Sequence, residues 1–166
     1  MQIKPHLIRL IKCHYLAYER LLKAIDPIDD STYYKDHGLY FKSLHGTLNH
    51  LLLVDLLWFY RLRSERPPIE VTGLDQQLYS DRKELSQALI DNAQKLVEFV
   101  HGQSEEFFEH SLRVKTISGS ELIHQAYWLV ATIANHGTHH RGQITAILNQ
   151  LEIQYQPMDL PFFPEM

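Results

Sequence analysis

Apolar residues recur along most of this chain at the three-to-four-residue spacing of an amphipathic helix, and four stretches carry the pattern. In the first, Leu7, Leu10, Ile11, His14, Ala17, Tyr18, Leu21, Leu22 and Ile25 share one stripe, which Pro27 ends. The second runs from about Tyr40 to Arg63 and is apolar nearly all round between Leu51 and Tyr60, so it is predicted to be the most buried. Pro67 and Pro68 stop it. The third, about Ser80 to His101, sets Leu85, Leu89, Ala93, Leu96 and Val100 on one face. The fourth begins at Ser118-Gly119-Ser120-Glu121, a capping-box pattern, and continues to about Leu151.

Between the third and fourth stretches, Leu112 to Ile117 is β-branched and partly alternating, which predicts a short extended segment or hairpin. The tail from Glu152 is rich in Pro and aromatic residues and is expected to lie extended over the helices. If helix one and this tail enclose a pocket, Phe162 and Phe163 are its candidate lid residues. Four long helices with little strand give an all-α four-helix bundle, in a single domain spanning residues 1–166.

Composition mainly excludes. A net charge of −4 argues against a basic surface for nucleic acid. The single Cys13 excludes an internal disulfide and a cysteine-rich zinc module, and fits a reducing compartment. No run is long enough to span a bilayer, and the N-terminus lacks the apolar core of a signal peptide, so the expectation is a cytoplasmic protein without membrane partners.

Histidine is what changes the picture. Asn135-His136-Gly137-Thr138-His139-His140-Arg141-Gly142-Gln143 holds three histidines within an otherwise buried helix. At about 100° per residue, His136 and His140 fall in or beside the sector of Leu129, Ile133, Ile144, Ile147 and Leu151. His139 lies at a flank. Two imidazoles one turn apart can clasp one ion. A third ligand must come from a facing helix: His14, His45 or His50. Spacing does not choose among them, although His50 lies in the most apolar helix, where an unpaired imidazole is costly. His14 and His45 otherwise read as hydrogen-bonded core residues, and His6, His37, His101, His110 and His124 as surface or loop residues.

Asp55 is the one carboxylate deep in the second helix. It could accept a hydrogen bond from a ligand imidazole or act as a base; an ion pair with Arg141 is the favoured reading. Asn49, His139 and Gln143 are further polar neighbours, read first as structural. Gly137 stands where HExxH proteases carry their general base, which removes that mechanism.

Leu44-His45-Gly46-Thr47-Leu48-Asn49-His50-Leu51-Leu52-Leu53-Val54-Asp55, followed by Trp58 and joined to the Asn135–Gln143 block, resembles the DinB family, grouped with the YfiT-like metalloenzymes. The likeness extends to Tyr15-Leu16-Ala17-Tyr18 and the closing Asp159-Leu160-Pro161. It implies a four-helix bundle, often a homodimer, with His50, His136 and His140 as ligands to a divalent metal, zinc or nickel foremost. Three histidines leave an open coordination position, the pattern of catalytic zinc. The expected function is a metal-dependent hydrolase, or a transferase using a low-molecular-weight thiol cofactor, on a small-molecule substrate. The alternatives are a non-catalytic, stress-related metal- or ligand-binding bundle and a purely structural dimeric bundle.

Overall fold

The computed structural model describes residues 2–164. The four long helices are α1 (Lys4–Ile25), α3 (Leu44–Leu62), α4 (Arg82–Gly102) and α6 (Ala126–Gln150). Two short helices, α2 (Asp30–Tyr33) and α5 (Glu105–Glu109), fall in the connections, too brief to show a periodic stripe. The starts follow local chemistry. Ser43 caps α3 by accepting from the Gly46 amide, Asp81 caps α4 through the Lys83 and Glu84 amides, and Pro5 sits in the first turn of α1.

The fourth helix starts later than its capping pattern predicts. Ser111–Lys115 (β1) and Glu121–Gln125 (β2) pair antiparallel, so the predicted extended segment supplies the first strand of a hairpin, Ser118-Gly119-Ser120 lies in its turn, and the second strand takes residues read as helix. Gly119 takes φ +85°, a conformation that favours glycine, and the Thr116 amide donates to the Ser120 carbonyl at 2.8 Å. Tight-turn chemistry outcompetes the cap, and α6 begins only at Ala126. At its other end Leu151 follows the last helical residue and is exposed, not inward as predicted.

Two apolar clusters form the core. One gathers Tyr18, Leu21, Leu48, Leu52, Leu89 and Ile147; the other gathers Leu7, Ile11, Phe59, Leu96, Leu129 and Ile133. The order in which each helix meets them gives its direction: α1 and α6 run one way, α3 and α4 the other. Helix α1 packs chiefly on α4 and α6, and α3 on the same two. Because α3 and α4 are parallel neighbours, residues 63–81 must travel back along a helix about 28 Å long. That return path crosses the face of α3 carrying His50 and Asn49, where the Asn49 carboxamide oxygen accepts from the Leu78 and Tyr79 amides at 2.7 and 3.0 Å. As predicted, α3 is deeply buried, from Leu44 to Leu62. No helix among the described residues is long and apolar enough to cross a membrane.

Candidate metal centre

Where α3 packs on α6, His50, His136 and His140 each offer a ring nitrogen, and these nitrogens all lie within 4.8 Å of one another. His50 Nε2 is 3.1 Å from His136 Nε2. The i,i+4 spacing brings the His136 and His140 rings to 4.5 Å, and α3 supplies His50 at 4.7 Å from His140. Spacing left His14, His45 and His50 open as the facing residue; packing brings His50 alone of these to the pair.

The outer nitrogens decide which way the inner ones face. His50 Nδ1 lies 2.8 Å from the Leu74 carbonyl, which can only accept, so Nδ1 carries the proton and Nε2 presents a lone pair. His140 Nδ1 donates in the same way to Gln143 Oε1 at 2.7 Å. Phe41 stacks flat on the His50 ring, centroids 3.8 Å apart and planes 17° apart. Gly46 permits this, because a Cβ there would collide with the Phe41 carbonyl oxygen.

Burial lowers the pKa of His50 and of His140, and holds that of His136 down at about 4 with help from the neighbouring His140. All three are therefore neutral at neutral pH, the form that ligates metal. Lone pairs aimed at a common point repel one another unless a cation lies between them. Tetrahedral zinc with bonds of about 2.05 Å sets its nitrogens about 3.3 Å apart. The His50–His136 nitrogens, 3.1 Å apart, are close to that value and the third lies within 4.8 Å of both, so the donor set fits a divalent ion.

Directly beneath lies a second polar cluster, built differently. Arg141 Nη1 donates to His14 Nδ1 at 3.2 Å, which fixes the proton of His14 on Nε2, and that nitrogen donates to Asp55 Oδ2 at 3.0 Å. Tyr18 donates to the same oxygen at 2.7 Å, and Arg141 also donates to Thr138 Oγ at 3.0 Å. The expected Asp55–Arg141 ion pair is thus not a direct contact. The His14 imidazole is wedged between the two charges, and Gly137 makes the room: a Cβ there would lie 2.5 Å from both His14 Cε1 and Arg141 Nη1. Burial raises the Tyr18 pKa well above its ordinary value and lowers that of Arg141. Asp55 Oδ1 and His136 Nδ1 are the two fully buried side-chain polar atoms without a partner among the described residues.

The other polar candidates have structural posts. His45 lies 3.4 Å from the Tyr33 hydroxyl and accepts from Asn49 Nδ2 at 3.1 Å, so both its nitrogens are engaged. His139 is exposed at the cleft wall.

The three histidines line a cleft of about 820 Å³. Its walls come from segments whose role sequence periodicity could not show: Tyr40 and Phe41 ahead of α3, Leu74 on the return path, and Thr116 to Ser118 at the hairpin turn. Val54, Leu57, Trp58 and Arg61 complete it along α3. The tail is not its lid, and α1 does not line it. Phe163 is buried against Cys13 and Ala17 under the Arg20 guanidinium, 4.2 Å from its ring, while Phe162 is exposed. Arg20 anchors that tail by donating to the Pro157 and Phe162 carbonyls, on another side of the bundle.

Known proteins share this framework. The model of the DinB family matches residues 10–166. Protein DinB of Bacillus subtilis (strain 168) is 23% identical over 156 residues, covering 91% of this chain and 89% of that protein. A DinB-like protein from Bacillus cereus superposes with a TM-score of 0.62 at 16% identity, over 85% of this chain and 89% of that one. YfiT from Bacillus subtilis, described as a probable metal-dependent hydrolase with an unusual four-helix bundle topology, gives 0.61 at 14% identity over 87% of each chain.

Proposed function

The chain belongs to the DinB family, and from that premise we propose that it is a metal-dependent enzyme acting on a small molecule, with His50, His136 and His140 holding zinc or nickel. The observation that carries this is the convergence of the three imidazoles, two of them with Nδ1 committed to a fixed acceptor. Imidazoles serving only the core would meet other kinds of group at both nitrogens, as His14 and His45 do, whereas the inner nitrogen of His50 meets only another imidazole.

When bound, the ion supplies Lewis acidity at an open position, able to polarise a substrate oxygen or hold a thiol as thiolate. The protein's own part is orientation and exclusion. Leu74 and Gln143 fix two ligand rings, and Phe41 covers one face of His50 against water. Asp55 Oδ1 is the acceptor we assign to the His136 Nδ1 proton, either directly after a small ring rotation or through a water; Asp55 then orients a ligand and is not a base.

Among the described residues no Asp or Glu lines the cleft, which leaves the exposed His139 as the nearest ordinary base. A metal-bound water ionises near neutral pH and a metal-bound thiol is held as thiolate, so neither nucleophile requires a carboxylate base in the cleft. Hydrolysis and transfer to a low-molecular-weight thiol are therefore both open to this site. Protein purified without a histidine tag should contain one equivalent of zinc or nickel by mass spectrometry, lost in His140→Ala. A screen of thiols against electrophiles should then give turnover that His50→Ala abolishes. Metal-free protein that binds no added ion would sink the metal reading, and metal without turnover would leave a binding bundle.

A further inference from the structure

We infer that Arg61, braced on Trp58, forms an anion subsite at the far end of the metal cleft, which selects small organic acids whose other end reaches His50, His136 and His140. This rests on the metal reading above and adds to it the chemical class of the ligand.

The placement follows from helix geometry. His50, Val54, Trp58 and Arg61 recur along one face of α3, and all four line the cleft. Eleven residues at 1.5 Å put Arg61 about 16 Å along the axis from His50, and side chains lean towards the helix N-terminus, so the guanidinium reaches back into the cleft. The Arg61 guanidinium carbon lies 4.5 Å above the Trp58 ring, which holds its plane and leaves its N–H edge free to meet a carboxylate.

Arg61 differs from the arginines whose partners are set. Arg63 pairs with Glu65 at 2.9 Å, Arg82 with Asp30 at 3.0 Å, and Arg113 with Glu121 at 2.7 Å. Arg20 holds the tail, and Arg141 holds His14 and Thr138. Arg61 makes no hydrogen bond or ion pair with its side chain among the described residues, although it is partly buried. Burial alone lowers its pKa; no carboxylate stands near enough to raise it.

The cleft as a whole is electropositive once an ion is bound, in a chain of net charge −4. It has one guanidinium, no lining carboxylate, and apolar walls of Val54, Leu57 and Ile117. An acid with an apolar body about 10–12 Å long, carrying a metal-binding group at its other end, satisfies both ends together. Arg61 also sits in the last turn of α3, where a helix welcomes any cation. That placement alone would leave ligand charge irrelevant, and so can be tested apart.

The probes are ω-mercapto-octanoate and the matching mercapto-octanol, titrated into the cobalt-loaded full chain while the thiolate-to-cobalt absorption is followed. Wild type should bind the acid about tenfold more tightly than the alcohol, as expected for a charge-assisted hydrogen bond at a partly exposed site. Arg61→Gln should abolish that preference and leave the affinity for the alcohol unchanged, while Arg61→Lys should keep part of it. Equal affinity for both probes in wild type, or an equal loss of both in Arg61→Gln, overturns the anion subsite. In that case the His140-dependent cobalt signal persists and the metal reading stands. Absence of His140-dependent cobalt binding overturns both.

Discussion

Two histidine-bearing clusters sit back to back between α3 and α6, and their hydrogen bonds are opposite in kind. In the inner one, His14 uses both ring nitrogens, accepting a hydrogen bond from Arg141 and donating one to Asp55, so the imidazole is a spacer between two buried charges. In the outer one, His50 and His140 spend Nδ1 on a fixed acceptor, and their other ring nitrogens face only imidazoles of the cluster, His50 Nε2 at 3.1 Å from His136 Nε2. Burial does not separate the two roles, because His14 and His50 are both buried. What separates them is whether the second nitrogen meets a group outside the histidine cluster or only another imidazole. The inner cluster ties α1, α3 and α6 together and leaves Asp55 Oδ1 as its buried atom without a partner among the described residues. On the metal reading, a bound ion completes the outer one.

That contrast predicts a double dissociation. Arg141→Ala strips the counter-charge from buried Asp55 and a donor from His14, and should cost about 3–5 kcal/mol of folding stability in a denaturant titration. Metal affinity of the folded fraction should change by less than about threefold. His140→Ala should do the reverse: metal affinity in a competition assay falls by more than the roughly hundredfold reached by outer hydrogen-bond partners, with little loss of metal-free stability. If both substitutions move both quantities alike, the two clusters are one unit and the comparison fails.

A smaller effect tests the seam between them. Gly137→Ala pushes a methyl group against His14 and Arg141. It should cost about 1–3 kcal/mol by overpacking, read as a lowered denaturation midpoint at unchanged slope. A neutral result would mean that the inner network is looser than its distances imply.

Acid should act chiefly on the outer cluster. His50, His136 and His140 have pKa values below the ordinary histidine value, His136 at about 4. The folded chain therefore binds fewer protons at these sites than the unfolded chain. Their contribution to metal-free stability is complete above about pH 6.5 and is lost as pH falls towards about 4. Thermal melts across that window should show the decline, and His136→Gln should flatten it. The same low values let metal binding persist to lower pH than ordinary imidazoles would allow, which a chelator-free pH titration of bound metal can measure.

Much of this was legible along the chain. The four helices, the buried character of α3 and the hairpin all followed from periodicity, because the apolar stripe and the alternating run are local signals. The inward turn of His136 and His140 followed from i,i+4 geometry. The choice of His50 leaned on the apolar character of its helix and was completed by likeness to relatives, since sequence spacing within α3 does not say which turn faces α6. The start of α6 was misplaced because Ser118-Gly119-Ser120-Glu121 suits a helix cap and a hairpin turn equally, and strand pairing with Ser111–Lys115 decided between them. The tail was misassigned as a lid. Its aromatic residues signalled burial, but not which face of the bundle would receive them.

By itself, then, the sequence determined the elements and the candidate donors: helices from spacing, two inward imidazoles from a histidine pair one turn apart, and no zincin base from Gly137. Tertiary structure alone decided the partners. That His14 stands between Asp55 and Arg141, that a carbonyl from the return path orients His50, and that Arg61 looks into the same cleft all depend on contacts between residues far apart in the chain. Periodicity says which way a side chain points from its own helix. Only packing says what it meets there.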